Sequence, residues 1–195
     1  MHSVTRIEIA PTQPVLREFK RREFLPMIGD LFWEIDAGMV RTLTSCEEGK
    51  LITLGLWGAG DIVGYSLAGI EPYQVECLTK VQAHRLPAID CSSLKGVMWS
   101  HLHQSQTFLM IRHGLMPDRL QHFLLWLAEK FGTRCEEGCY IPNQLTHQDI
   151  AEIIGTSRVT VTRLIGNLER AGFIHWSKRR CLLRSAFSSI PSSIF

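Results

Sequence analysis

The residues of this 195-residue chain best suited to chemistry lie close together, in Ser157-Arg158-Val159-Thr160-Val161-Thr162-Arg163-Leu164. Read as a helix, the stretch puts Val161, Leu164, Ile165 and Leu168 on one apolar stripe. Ser157, Arg158, Thr160, Thr162 and Arg163 then face outward, mostly in the first two turns. Arginine can donate two hydrogen bonds to a guanine edge, and threonine can meet a phosphate or a thymine methyl group. The β-branched run 159–162 has poor helix propensity, a choice that suits side chains kept for contact. Upstream, Thr146-His147-Gln148-Asp149-Ile150-Ala151-Glu152-Ile153-Ile154-Gly155 forms a second short helix pattern. Ile150 and Ile154 share a face, Ala151 allows a close crossing, and Gly155 suits a left-handed turn. Thr156 or Ser157 can cap the next helix. Together these predict a helix-turn-helix over 146–170 with its second helix in a DNA major groove. The plainer reading is an ordinary helix pair with a solvated charged face. The apolar spacing, cap, Arg/Thr face and basic flank favour the first.

Charge is shared unevenly. Residues 140–195 hold seven basic and three acidic side chains, leaving 14 basic and 16 acidic for residues 1–139. A basic C-terminal part on a mildly acidic one is the footprint of an end that meets phosphate. Mean hydropathy is near zero. No apolar run reaches the ~18 residues of a membrane span, and the N-terminus lacks a signal core, so a cytoplasmic location is expected, with no membrane partner. The six cysteines form no dense framework, and Cys135-x-x-x-Cys139 lacks the usual zinc spacing, so ordinary thiols are expected. No nucleophile–base pair, phosphate-cradling loop or paired ligand set appears, which argues against an enzyme.

Other elements must position the reading helix. From about Phe19 to Pro87 the chain reads as β structure. Met39–Thr44 and Leu51–Leu56 alternate as half-buried strands around a hairpin tip at Glu47-Glu48-Gly49-Lys50. Gly58-Ala59-Gly60-Asp61 is a turn before Ile62–Tyr65, and Cys77–Leu86 reads as one further strand. Short strands with regular glycine turns suggest a sandwich or barrel. Asp90-Cys91-Ser92-Ser93 can cap a helix running from Leu94 to about Leu115. Pro117-Asp118 opens another, with Leu120, Phe123, Leu124, Leu127 and Phe131 on one face and Gly132 at its end. A short strand near Tyr140-Ile141 lies in the following connection. After the reading helix, residues 173–184 form a hairpin whose Lys178-Arg179-Arg180 turn reads as a phosphate-contacting wing or simply a solvated turn. The tail from Ser185 is Ser-rich.

Over roughly residues 18–185 the chain resembles the Crp/Fnr family of bacterial regulators. Gly38-Met39-Val40, Glu47–Lys50 and Gly58–Gly64 resemble the glycine turns of its β-roll, 90–115 its dimerisation helix, and 140–185 its winged helix-turn-helix. Ser157–Leu164 is nearly identical to the recognition helix of the cyanobacterial nitrogen-control branch. The resemblance implies an α+β fold: a shortened β-roll of the cyclic-nucleotide-binding jelly-roll type over 1–89, a dimerisation helix over 90–116, and a winged helix-turn-helix over 117–195. It implies a homodimer on palindromic double-stranded DNA of the GTA-N8-TAC kind, with RNA polymerase as a partner. Arg158, Val159 and Arg163, joined by Thr162 from its outward position, would face bases. His147, Ser157, Thr160, Lys178, Arg179 and Arg180 would face phosphates.

The departures concern sensing. Residues 64–74, Gly-Tyr-Ser-Leu-Ala-Gly-Ile-Glu-Pro-Tyr-Gln, contain no arginine and no Glu beside Gly64. A cyclic nucleotide would therefore lack its charge partner. Glu71 stands about where the nitrogen-control branch carries an arginine. Residues 1–30 contain no cysteine for an iron–sulfur cluster. No cofactor is required, and the effector, if any, is open. A pocket around Val63, Gly64, Tyr65 and Ser66 is the expected effector site. His101, His103 and His113 on or near the dimer helix leave a haem- or metal-sensing regulator as the alternative, against solvated or interface histidines. An enzyme with an accessory DNA-binding tail is a third class, and would need a nucleophile–base pair in a polar pocket.

Overall fold

A computed structural model describes residues 15–29, 31–142, 145–177 and 180–184, apart from the side chains of Cys91 and Pro142. Among the described residues seven strands form the N-terminal part: β1 (Leu16–Phe19), β2 (Phe32–Ala37), β3 (Val40–Ser45), β4 (Leu51–Trp57), β5 (Ile62–Gly64), β6 (Gln74–Cys77) and β7 (Val81–Leu86). They make two facing antiparallel sheets, ordered β1-β7-β2-β5 and β4-β3-β6. Trp33, Ile35, Val40, Val63, Val75, Val81 and Ala83 fill the space between them, all fully buried. This is the expected β-roll.

Two strand readings need correction. Cys77–Leu86 is not one strand: β6 ends at Cys77, and β7 begins at Val81 in the other sheet. The chain switches sheets where Gly38, at φ 92°, packs against Lys80 and Thr79. A side chain at position 38 would collide with that backbone. Nor is β3 half-buried. All of Val40–Thr44 is buried, because the face opposite the sandwich core is covered by the C-terminal domain.

Helix α1 (Cys91–Ile111) starts as expected, with the Asp90 carboxylate accepting hydrogen bonds from the backbone N–H groups of Ser92 and Ser93. Helix α2 (Met116–Phe131) carries Pro117 in its first turn and buries Leu120, Phe123, Leu124, Trp126 and Leu127. The connection after it holds more than one short strand. β8 (Thr133–Cys135) and β9 (Gly138–Pro142) form a hairpin that pairs with β11 (Arg180–Arg184) of the wing, and β10 (Ile174–Trp176) completes a four-stranded sheet. Helices α3 (His147–Ile154) and α4 (Arg158–Arg170) precede that wing. One hydrophobic core runs from Met39, Leu56 and Leu78 of the β-roll through Phe108 and Ile111 of α1 into α2, α3 and α4. The reading head is thus docked on the β-roll.

Candidate nucleic-acid interface

The site is assembled from short-range signals. The Thr146 hydroxyl caps α3 by accepting from the Asp149 N–H at 3.1 Å, and the Asp149 carboxylate accepts from the Thr146 N–H at 2.7 Å. Ile150, Ala151, Ile153 and Ile154 are fully buried. Gly155 ends the helix at φ 73°, ψ 50°, a left-handed conformation that glycine adopts without the usual side-chain penalty. Of the two candidate caps for α4, Ser157 does the capping, accepting from the Thr160 N–H at 3.1 Å. Val161, Leu164, Ile165 and Leu168 form the buried stripe. Arg158, Val159, Thr162 and Arg163 are exposed, Val159 by 78%. An isolated β-branched residue so exposed on a helix gains nothing from burial, and it stands between two outward arginines. The Arg158 and Arg163 guanidinium groups have no hydrogen-bond or ion-pair partner among the described residues.

The remaining proposed DNA contacts are more constrained. Nδ1 of His147 lies 2.9 Å from Oγ1 of Thr162, and that hydroxyl donates to the Arg158 carbonyl at 2.9 Å. The hydroxyl is therefore an acceptor toward the ring, so Nδ1 carries the hydrogen and Nε2 does not. Burial, then the Arg158 charge, holds the His147 pKa below its ordinary value. Thr162 is left with its methyl group to offer outward. Ser157 and Thr160 share a hydrogen bond at 2.9 Å. On the wing, Arg180 lies over the Tyr140 ring at 4.7 Å. Lys178 and Arg179 fall outside the described residues.

A network not foreseen from sequence ties this head to the β-roll. Arg41, only 2% exposed on β3, reaches Glu76 at 2.7 Å and Glu152 of α3 at 2.7 Å. Arg22 bridges Glu76 at 2.8 Å and Asp149 at 2.6 Å, and Arg21 meets Asp149 at 2.5 Å. Asp149 is completely buried. Burial favours its neutral form, but the Thr146 donors and the Arg22 and Arg21 charges outweigh that and hold its carboxyl below the ordinary value. Farther along, Lys130 of α2 pairs with Asp61 at 2.7 Å, and Phe131 lies against Gly58. Arg112, just past α1, donates to the carbonyls of Ile153 in α3 at 3.1 Å and Thr53 in β4 at 2.7 Å.

A family model for the Crp-like helix-turn-helix domain matches residues 118–185. The chain is 36% identical over 167 residues to the regulatory protein CysR of Synechococcus elongatus, covering 84% of this chain and 81% of that one. It is 35% identical over 160 residues to the global nitrogen regulator of the same organism, covering 73% and 72%. The chain belongs to the Crp/Fnr family. It is a DNA-binding transcription regulator of that type. Its fold matches a solved CRP-family transcriptional regulator from Thermus thermophilus with TM-score 0.72 at 26% identity, covering 89% and 95% of the two chains. FixK2 from Bradyrhizobium japonicum shares the fold at TM-score 0.76 and 14% identity, covering 92% and 98%.

None of the four expected effector residues lines the cavity that the β-roll forms with α1. Val63 packs inside the sandwich core, Gly64 is buried beside Phe32, and Tyr65 and Ser66 are exposed. The Tyr65 hydroxyl hydrogen-bonds the Glu71 carboxylate. A cavity of about 490 Å³ lies farther along, between β3, β4, residues 67–73 and α1. His101 lines it with its ring stacked on Trp57 at 4.2 Å and Nε2 hydrogen-bonded to the Ile62 carbonyl at 2.8 Å. That nitrogen is already engaged, which disfavours it as a metal ligand, and burial lowers the His101 pKa. His103 and His113 are exposed. Among the described residues no three His, Cys, Asp or Glu side chains come together to hold a metal. Cys135 and Cys139 sit on the β8–β9 hairpin as free thiols, and burial raises the Cys139 pKa.

Proposed function

We propose that two copies of the chain pair through α1 and read a palindromic site of the GTA-N8-TAC kind. The observation that carries this is the outer face of α4: two arginines without partners among the described residues, flanking an exposed valine, on a helix fixed by four buried residues. Arg158 and Arg163 reach guanine edges, while Val159 and the Thr162 methyl meet apolar base surface. Ser157, Thr160 and His147 face the backbone, with Lys178, Arg179 and Arg180 of the wing. Two such helices one turn of DNA apart, ~34 Å, require a two-fold axis between them. Leu94, Met98, Trp99 and Leu102 of α1, exposed by 39%, 60%, 70% and 51%, supply the apolar seam for that axis. The bound dimer acts on RNA polymerase in the cytoplasm.

The test is Arg158→Ala on a labelled palindromic probe. The expected loss is about 1–3 kcal/mol, with relaxed discrimination at one base pair of each half-site. If the variant shifts the probe as wild type does, Arg158 does not read bases. A second reading, that a small molecule governs DNA binding, is favoured by the 490 Å³ cavity against α1. Residues 64–74 supply it no arginine, which argues against a cyclic nucleotide.

A further inference from the structure

We propose that His147 is a positioning residue for Thr162: it occupies the Thr162 hydroxyl so that the methyl group reads the DNA, and what is read there is a 5-methylpyrimidine. This rests on the base-facing role of α4 given above and names what one of its residues selects.

A threonine on an exposed helix face is an ambiguous reader. Its hydroxyl can donate or accept, so it suits phosphates and several base edges, while its methyl group suits only apolar surface. In a helix its side chain also divides between two rotamers. Both freedoms are restricted at Thr162. Its hydroxyl donates its proton to the Arg158 carbonyl at 2.9 Å and accepts the Nδ1 hydrogen of His147 at 2.9 Å. The first bond is open to any helical threonine. The second comes from another helix, and it competes with a base amino group for the same oxygen.

The donor is itself held from several sides. His147 is the first residue of α3, directly after the Thr146 cap. Its ring centroid lies 5.7 Å from that of Trp176 on β10, at 59° between planes. The Trp176 backbone N–H in turn donates to the Glu169 carboxylate of α4 at 2.9 Å. The imidazole therefore sits where α3, α4 and the wing meet, and Thr162 beside it is exposed. Among the four bases, thymine alone carries a methyl group on its major-groove edge. A cytosine methylated at C5 presents the same group, so it stands in for thymine at this contact.

The experiment uses the full chain on GTA-N8-TAC duplexes in which dU replaces each dT in turn, in both half-sites. A parallel set carries cytosine or 5-methylcytosine at the position so found. Fluorescence anisotropy is recorded for wild type, His147→Ala, His147→Asn, Thr162→Ser and Thr162→Val. At one thymine, loss of the methyl group should weaken wild type about fourfold per half-site, the worth of one buried methyl. There 5-methylcytosine should outbind cytosine by a similar factor. His147→Ala and Thr162→Ser should bring both ratios to about one. His147→Asn, whose amide N–H stands where Nδ1 does, should keep them. Thr162→Val should also keep them, and adding His147→Ala to it should change nothing, because valine holds one rotamer in a helix about 90% of the time. Scalar couplings to the Thr162 methyl should report one rotamer in the free wild-type chain and averaging in His147→Ala. Wild type indifferent to every methyl removal overturns the methyl contact. Ratios or couplings that survive His147→Ala, or ratios that fall when it is added to Thr162→Val, overturn the role of His147. Wild type that binds the palindrome no better than scrambled duplex overturns the palindrome reading and the methyl contact with it, while the couplings still decide whether His147 fixes Thr162.

Discussion

The ion pair between Arg41 and Glu152 is the sharpest probe of how the reading head is held. It joins a β-roll residue to a helix-turn-helix residue over 2.7 Å. The Arg41 side chain is 2% exposed and that of Glu152 29%. Two unit charges 4 Å apart at an effective dielectric near 20 attract by about 4 kcal/mol. Partial exposure of Glu152 and the cost of desolvating both groups reduce this, giving a coupling energy of about 2 kcal/mol. A double-mutant cycle with Arg41→Met and Glu152→Gln isolates that quantity. Arg41→Met also removes a partner from Glu76, but Arg22 still pairs with it. The single variant should therefore cost about 3 kcal/mol, the lower end for breaking a buried pair. At ~2–4 °C per kcal/mol this lowers Tm by roughly 6–12 °C. Urea unfolding of the four proteins gives the cycle directly. A coupling below about 0.5 kcal/mol, the usual scatter of additive sites, would mean that Glu152 does not meet Arg41 in solution and that the docked arrangement is wrong.

Two further outcomes follow from particular contacts. His147 in the free chain bears its hydrogen on Nδ1, and its pKa lies below the ordinary 6.5. Donating to a phosphate from Nε2 then requires a second proton, so DNA affinity should rise as pH falls through the window just above that depressed pKa. Fluorescence anisotropy across pH, wild type against His147→Gln, measures it; identical slopes would remove His147 from the backbone contacts. Trp99→Glu with Leu102→Glu should give a monomer in sedimentation and weaken palindrome binding about a hundredfold or more through lost avidity. A stable dimer from that variant would place the two-fold axis elsewhere.

The reading head was legible because its determinants are local. Thr146, Gly155 and Ser157 act on atoms within a few residues, and the stripe Val161–Leu168 follows helical spacing. The clamp was not legible, for an equally physical reason. Arg41 occupies the polar position of an alternating strand, which ordinarily faces water. Alternation reveals that β3 has two faces; what covers the second face lies over 100 residues away, in Glu152. The break inside Cys77–Leu86 was hidden in the same manner. Leu78-Thr79-Lys80 contains no glycine or proline, and the glycine that permits the crossing is Gly38, in the turn between β2 and β3. Val63 and Gly64 belong to β5, where Val63 packs in the sandwich core, so neither lines the cavity against α1.

Two working sets stand out among the arginines of this chain. Arg158 and Arg163 are exposed and unpartnered among the described residues, so a phosphate backbone or a base edge is their available counterpart. Arg21, Arg22 and Arg41 have carboxylates already, two of which belong to α3. Salt acts on the sets differently: counterion release makes DNA contacts steeply salt-dependent, whereas a clamp centred on the buried Arg41 and Asp149 is screened less. Docking of the head therefore outlasts DNA binding as ionic strength rises. Arg112 belongs to neither set, since its bonds go only to carbonyls of β4 and α3. It is the described arginine at which the cavity, the β-roll and the reading head all meet.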